Sequence, residues 1–392
     1  MLLSPRDESE VLDAIRDALA AESPLAIRGH GSKAALGRFA PCERVLSLAA
    51  LSGVTLYEPE ELVLTARAGT PLREIVALLD AQRQQLAFEP MDHALLLGAA
   101  RDDATIGGVI AVNASGPRRI KAGAARDHLL GFRCVTGRGE IVKSGGRVMK
   151  NVTGYDLSKL VTGSFGTLAA LTEVTLKVLP MAETEETLMV AGLGEEKGLA
   201  ALRKASGSPY EVSSLAFDPR ANIAALRLEG PEISVVKRRE DLIALLAPFG
   251  GAVETLATEA SRALWLRLRD AAPIAEGEGV VWRVSLAPTD GFAFVDALRR
   301  TGAPLAAHLY DWAGGLVWLR LEAARDAHAG AIRAIVDRLG GHATLIRADE
   351  ATRAEIEVFH PQPAPLAALT RRVKEAFDPR HILERGRMRA EF

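Results

Sequence analysis

Arg28-Gly29-His30-Gly31-Ser32-Lys33, after the apolar run Pro24-Leu25-Ala26-Ile27, and Thr105-Ile106-Gly107-Gly108, opening Val109-Ile110-Ala111-Val112, are the stretches on which the fold turns. The first contains Gly29-His30-Gly31-Ser32-Lys33-Ala34, formally G-x-G-x-x-A. A dinucleotide-binding Rossmann unit needs a helix directly after that loop and an acidic residue ~20 positions on. Gly37 and Pro41 interrupt such a helix, and Glu43 and Glu58 stand at the wrong spacing, so that fold is rejected. No G-x-x-x-x-G-K-[ST] is present, which removes a Walker ATPase. Glycine still lets backbone N–H groups converge into an anion-binding nest, and Arg28 and Lys33 add positive charge beside it. A helix starting after Thr105 would turn free N–H groups toward the same anion. Either loop alone reads as a tight turn, whereas the two together predict a bound diphosphate.

Outward from these loops, Ser4, Pro5 and Asp7 announce a helix with the apolar stripe Val11, Leu12, Ile15, Ala18 and Leu19. Leu62–Arg67 reads as a strand, Thr70-Pro71 opens a helix carrying Leu72, Ile75, Val76, Leu78 and Leu79, and strands follow at Leu129–Thr136, Glu140–Lys143 and Leu168–Leu179. Residues 1–180 form one predicted domain, closed by Pro180. A polar connector, Met181–Glu186, then leads into residues 181–357. There short strands (188–191, 224–228, 280–286, 316–321) alternate with helices (237–246, 291–300, 325–339), the pattern of an α+β domain with helices on one side of a sheet. Residues 358–392 read as a proline-rich linker, Phe359–Pro365, then a helix, Leu366–Phe377, and a tail.

At 392 residues the chain is long enough for two or three domains. Lys and Arg (48) balance Asp and Glu (50), so no basic excess points to a nucleic-acid partner. Two cysteines, Cys42 and Cys134, are too few for an ordinary iron–sulfur cluster or a disulfide scaffold. The eight histidines show no i, i+4 pair, and no metal site is predicted. The longest run free of charged side chains, Ala104–Pro117, is short and polar, so no membrane span is expected, and MLLSPRDESEV has no leader character. These features predict a cytoplasmic protein, with any contact to the inner face of the membrane made through partners.

Taken in order, RGHGSKAALG (28–37), EPMD (89–92), ATIGGVIAVNASGPRR (104–119), AGAARDHLLGFRCVTGRGEIVKSGG (122–146) and KNVTGYDLSKLVTGSFGTLAALTEVTLKVLP (150–180) resemble the FAD-binding domain of the vanillyl-alcohol oxidase and p-cresol methylhydroxylase superfamily. GYDLSKL and GSFG resemble its glycolate and D-lactate dehydrogenase branch, and within it the FAD-binding subunits of glycolate oxidase. VKEAFDP (373–379) is similar to the branch's C-terminal signature, although His381 and Glu384-Arg385 depart from it. The resemblance implies a two-lobed FAD-binding domain of the p-cresol methylhydroxylase type, 1–180, joined to an α+β cap. Gly29, His30, Gly31, Ser32 and Lys33 would wrap the FAD pyrophosphate from one side and Thr105, Ile106, Gly107 and Gly108 from the other. Pro90, Asn113, Ala114, Ser115 and Gly116 would approach the flavin, Gly123 would allow close packing, and Val174 would offer its backbone. Asp127 and Tyr155 are expected to be structural, as an ion pair and a packed aromatic. His30 stands two positions before the usual attachment point, where Ser32 sits, so the FAD is expected to be non-covalent.

Catalytic members of the branch carry H-x-G-D-G-N-x-H and G-E-H-G-x-G, which supply His and Glu for a metal and the substrate. Here the first region reads His308-Leu309-Tyr310-Asp311-Trp312-Ala313-Gly314-Gly315 and the second Gly340-Gly341-His342-Ala343-Thr344-Leu345. Phe165 stands where relatives tend to have Glu. His308 and Asp311 are the candidate base and orienting acid, set against an ordinary strand-end histidine. The expected function is therefore the FAD-binding subunit of a glycolate oxidase complex that converts glycolate to glyoxylate. A paralogous FAD-containing subunit would hold the substrate, and an iron–sulfur subunit would take the electrons. The alternatives are a stand-alone FAD-dependent 2-hydroxy-acid dehydrogenase and a non-redox module that binds nucleotide diphosphates.

Overall fold

The computed structural model describes residues 1–101, 103–146 and 154–392; the opening of the KNVTGYDLSKL stretch, 150–153, lies outside them. A three-stranded parallel sheet comes first, ordered β1 (Leu2–Leu3), β3 (Val45–Ser47), β2 (Ala26–Arg28). Against it packs α1 (Glu8–Ala20), burying Val11, Ile15 and Ala18. Its cap is Asp7, whose carboxylate accepts from the Glu10 N–H, and not Ser4 as the sequence predicts. Asp7 is the extended residue just before the first helical turn, so its carboxylate reaches the N–H of the third helical residue, which Ser4, three positions earlier, does not.

A five-stranded antiparallel sheet follows, ordered β4 (Val54–Glu58), β5 (Val63–Arg67), β8 (Ala169–Lys177), β6 (Leu129–Thr136), β7 (Ile141–Gly145). The helices α2 (Leu72–Asp80) and α3 (Ile106–Val112) seal its core, with Ile75, Leu79, Ile106, Val109 and Ile110 all buried beside Val174 and Leu176. Asp127 caps the Ala124 N–H and lies 3.9 Å from Lys159, an ionic structural role. Tyr155, expected to pack, is 92% exposed, because nothing described covers its ring.

Apart from a two-stranded pairing of Gln84–Gln85 with Leu179–Pro180, the remaining strands form one eight-stranded sheet. Its members are β9 (Thr184–Ala191), β10 (Ser214–Asp218), β11 (Ile223–Gly230), β12 (Ala252–Leu256), β13 (Val280–Ser285), β14 (Leu305–Asp311), β15 (Leu316–Leu321) and β16 (His342–Arg347), ordered β12-β9-β11-β10-β14-β15-β13-β16. β9 starts inside the predicted connector. Alternation along the strands divides two cores. Leu226, Leu228, Trp282, Val284, Val317 and Leu319 face α4 (Glu195–Ser206), α5 (Glu232–Leu246), α7 (Gly291–Arg300) and α8 (Ala329–Leu339). Ala225, Val281, Leu309, Leu316 and Trp318 face the opposite way. The alternating pattern predicts helices on one side only, yet α6 (Thr258–Arg269) also covers part of this second face. Its Trp265 donates to Thr187 and is buried.

That second face meets the first domain through a buried ionic network. Arg227 on β11 holds both oxygens of Glu89, at 2.8 and 2.7 Å, and its guanidinium lies 4.7 Å from the Trp265 ring. Arg118 binds Glu229 and Glu185 from the same side. Burial pushes Glu89 up, but Arg227 and Arg118 outweigh it and hold the carboxyl at about 2. Finally α9 (Ala364–Phe377) delivers the C-terminal tail to β2. Leu25 donates to the Ile382 carbonyl at 2.7 Å and accepts from the Glu384 N–H at 2.9 Å. The VKEAFDP stretch pins it, since the buried Lys374 ammonium holds Asp378, the Thr167 carbonyl and the Leu383 carbonyl.

Candidate functional site

β2 is three residues long because Gly29 turns the chain away, and the loop it opens is a row of unspent donors. Among the described residues, the N–H groups of Gly29, His30, Gly31, Ser32 and Lys33 meet no protein acceptor. Backbone N–H groups are nearly always paired with protein, water or ligand, so five in a row along a cavity, on half-buried residues flanking the buried Ser32, form an anion cradle. Gly31, at φ +90°, supplies the left-handed bend. A Cβ on Gly29 would stand 2.3 Å from Thr105 Oγ1, so the two glycine-rich loops touch and only glycine permits it. Lys33 overlooks the cradle, its ammonium pulled down to about 8 by burial against the opposing pull of Asp92. His30 Nδ1 stands 3.3 Å from the Asp103 carboxylate.

The second loop is placed as expected but behaves differently. Thr105 caps α3, yet the Ile106 and Gly107 N–H groups are spent on the Thr70 and Ala68 carbonyls. The expectation that this helix start offers free donors is therefore corrected. The Gly108 N–H is bonded more loosely, at 3.3 Å from Thr105 Oγ1. A side chain on Gly107 would strike Ala68, and the Ile106 side chain lies in the core. Gly108 and Thr105 line the cleft itself.

The tail completes the cleft. Glu384 accepts from the Ile27 N–H and Arg28, both at 2.7 Å, so Arg28 is neutralised and is not the free cation the sequence predicts. Arg387 shares Glu384 with it at 3.8 Å, lines the cleft and donates to the Lys33 carbonyl at 3.0 Å, while its Nε meets no protein acceptor. Burial pushes its guanidinium down to about 10. Sequence reading missed both residues. The departure at Glu384-Arg385 was the available signal, since an acid placed there needs a cation to face.

Phe165, with φ at 56°, stands where this cleft meets a second chamber, and its ring packs edge-on to Phe359 at 4.9 Å. Asn113, Ala114 and Ser115 line that chamber with Met91, His93, Arg119, Arg283, His342 and Thr344. Asn113 ends α3 in the left-handed region and accepts from the Arg126 N–H. Four other residues assigned to the flavin do not line this chamber. Pro90 lines a different cavity, beside Arg118 and Glu229. Gly116 backs onto the Glu89 carbonyl, and Gly123 makes a left-handed turn against Asp127. Val174 is buried in the first domain, and its strand is paired on both sides, with Ala66 and Phe132, so its backbone is committed to the sheet.

His308 and Asp311 do not pair. Three residues apart on β14, they project from opposite faces. His308 points to the helix side, with Nε2 3.1 Å from Glu195, which also takes Tyr310 and Arg299. Burial raises Glu195, but hydrogen bonds from His308, Arg299 and Tyr310 hold it at about 2. Asp311 lies buried on the cleft side, accepts from the Trp312 N–H, and is pushed up to about 7 by burial. Among the described residues no three His, Cys, Asp or Glu side chains gather as a metal site. No helix there is long and apolar enough to cross a membrane.

A donor-lined cleft on a strand-and-loop domain, backed by a large capping sheet, defines an FAD-binding protein of the p-cresol methylhydroxylase type, and FAD is its cofactor. An FAD binding domain model matches residues 1–145. Glycolate oxidase subunit GlcE of Escherichia coli K12 is 35% identical over 386 residues, 97% of each chain. The chain belongs to the GlcE family of FAD-linked oxidoreductase subunits. Glycolate oxidase subunit GlcD of Bacillus subtilis is 30% identical over 190 residues, 48% of this chain and 38% of that one. D-lactate dehydrogenase of Anaerostipes hadrus is 35% identical over 146 residues, 37% and 29% of the two chains. Among solved structures, an alkyldihydroxyacetonephosphate synthase shares the fold, with TM-score 0.68 and 16% identity, covering 97% of this chain and 76% of that one.

Proposed function

We propose that this chain is the non-covalent FAD-binding subunit of a glycolate oxidase complex that oxidises glycolate to glyoxylate. Substrate chemistry lies on a paralogous FAD-containing subunit, and an iron–sulfur subunit carries the electrons away. The observation that carries the reading is the row of free N–H groups from Gly29 to Lys33, held against Thr105. These donors, with Lys33 and Arg387, suit the two phosphates of FAD. Gly108 and Thr105 close the other side, and Asn113 to Ser115 border the chamber where the ring would extend. When bound, FAD supplies a two-electron acceptor. Cys42 donates to the Pro24 and Arg44 carbonyls and Cys134 is buried in the first core, which leaves neither thiol at the cleft to attach a flavin. The GlcE and GlcD likeness supports assembly with partner subunits, and in this reading the complex works in the cytoplasm, reaching the inner face of the membrane only through those partners.

Removing hydride from a hydroxy acid needs a base for the hydroxyl proton. His308 is on the wrong face of the sheet, and His342, on the edge strand β16, is made a weaker base by partial loss of water around its ring and by Arg283. The test is anaerobic mixing of the FAD-loaded chain with glycolate, alone and with the paralogous and iron–sulfur subunits. We expect no bleaching of the flavin alone on the timescale of turnover and dye reduction in the mixture. Rapid bleaching by the single chain would return the substrate site to it.

A further inference from the structure

The helix α9 carries an apolar stripe that the chain leaves half bare. Leu366, Leu369 and Val373 recur at i, i+3 and i+7, the spacing of a face made to be covered, yet Lys374 is the helix's one buried residue. Leu366 and Leu369 are each 47% exposed. The stripe lines a groove of about 660 Å³, against about 210 Å³ for the chamber proposed for the flavin ring. Leu160, Phe359, Met388 and Phe392 line the same groove, and Leu160 too is exposed. Single exposed leucines are ordinary on a surface, whereas three around one groove mark an interaction site. The charge there is one-sided. No Asp or Glu lines the groove, while Lys374 and Arg389 do. Lys374 is spent on Asp378, and Arg389 stands 3.5 Å from Glu357. On the turn of α9 after Leu369, Arg371 and Arg372 have no carboxylate partner among the described residues, and Glu375 is the helix's only acid. The groove also reaches the flavin region: Phe359, His342 and Thr344 line both it and the flavin chamber, so the two share a wall.

We propose that this groove is the docking site of the paralogous FAD-containing subunit, which seats an apolar segment flanked by carboxylates against α9. The inference rests on the subunit reading above. A chain that leaves substrate chemistry to a paralogue has to meet it close to its own flavin for the two to work as one enzyme, and this apolar groove shares a wall with that chamber. Leu366, Leu369 and Leu160 supply the dry centre of the contact. Arg371 and Arg372 supply a basic rim, where opposite charge on the partner speeds encounter and fixes register.

The test titrates the FAD-loaded full chain with the paralogous subunit, and separately with the iron–sulfur subunit, by isothermal titration calorimetry, with gel filtration of the chain alone. Leu366→Asp and Leu369→Asp place a carboxylate in the apolar centre and should each weaken binding of the paralogue by about 30-fold or more. Both side chains are half exposed, so flavin content and the circular dichroism spectrum should stay those of the wild type. Arg371→Glu combined with Arg372→Glu should weaken binding by about tenfold and flatten its salt dependence. Ile233→Asp, on α5 and 88% exposed, should change nothing. Loss of the iron–sulfur subunit in the leucine variants, with the paralogue still bound at full affinity, would overturn the proposal. So would a wild-type chain that dimerises by itself and loses the dimer in Leu369→Asp, because the groove would then seat a second copy. A wild-type chain with no affinity for the paralogue would sink the subunit reading and this inference with it. A wild-type chain that binds the paralogue, with both leucine variants binding equally well, would sink this inference alone.

Discussion

On the helix-covered face of the eight-stranded sheet, His308, Tyr310 and Arg299 converge on Glu195, and every charge has its partner. On the cleft face, Arg283 and Arg119 crowd the Trp312 indole, and among the described residues no carboxylate pairs with either, although Asp311 and Asp127 pull on them from farther off. The two clusters draw on similar residue types, yet the first is complete without a ligand and the second is not. The same contrast holds within the first domain, where the N–H groups opening α3 are spent on Thr70 and Ala68 and those of Gly29 to Lys33 are not. Satisfied polar groups hold this fold together, and unsatisfied ones mark where it works.

Breaking a satisfied cluster should cost stability and leave ligand binding to follow passively. The largest effect is expected for Glu89→Ala, which strips Arg227 of its bidentate partner inside the domain interface. A loss of about 3–5 kcal/mol is expected from the two charge-assisted hydrogen bonds removed inside the interface, where Glu229 and Glu185 remain only at 3.9 and 4.0 Å, and it is read as a fall in the urea midpoint. The same group sets an acid limit. Glu89 has its folded pKa depressed, so its contribution is full above its ordinary value near 4.5 and drains as pH falls toward about 2. Intact wild-type stability down to pH 2 would show that the network does not join the domains.

Gly29→Val attacks the unsatisfied side. Its side chain would collide with Thr105 and part the loops, so FAD affinity should fall by about 100-fold, ~2.7 kcal/mol, with the circular dichroism spectrum unchanged. Glu195→Gln should lower stability by about 1–3 kcal/mol, through the weakened bonds to His308 and Tyr310, while FAD affinity stays put. A parallel loss of flavin would contradict the separation of the two faces. The smallest effect concerns Lys33. It is charged below about 8 and neutral above it, so FAD affinity should decline by less than about tenfold as pH rises through that value. Lys33→Met should flatten the profile.

Much of this was legible along the chain. The loops at 28–33 and 105–108 were readable because glycine has few reasons to cluster, and the strands around them because their apolar runs are bounded by Gly and Pro. What escaped was anything set by distant contact. Arg28 looks like a phosphate cation until Glu384, from the far end of the chain, occupies it. His308 and Asp311 look like a pair by spacing, but three residues on a strand put them on opposite faces. Val174 reads as a ligand contact only until its strand is seen to be central. Arg283 lies in an unremarkable stretch and Arg119 at the very end of ATIGGVIAVNASGPRR, and both acquire meaning only beside Trp312.

The central claim is that the free donors of the first loop hold a diphosphate, and it is tested most directly by comparing ligands that differ in that group. The deflavinated chain is titrated with FAD and with riboflavin, following quenching of flavin fluorescence. FAD should bind at least about 100-fold more tightly than riboflavin, since several charge-assisted N–H contacts are lost without the phosphates. Equal affinity for the two would contradict the account, because the row from Gly29 to Lys33 would then have no anion to bind.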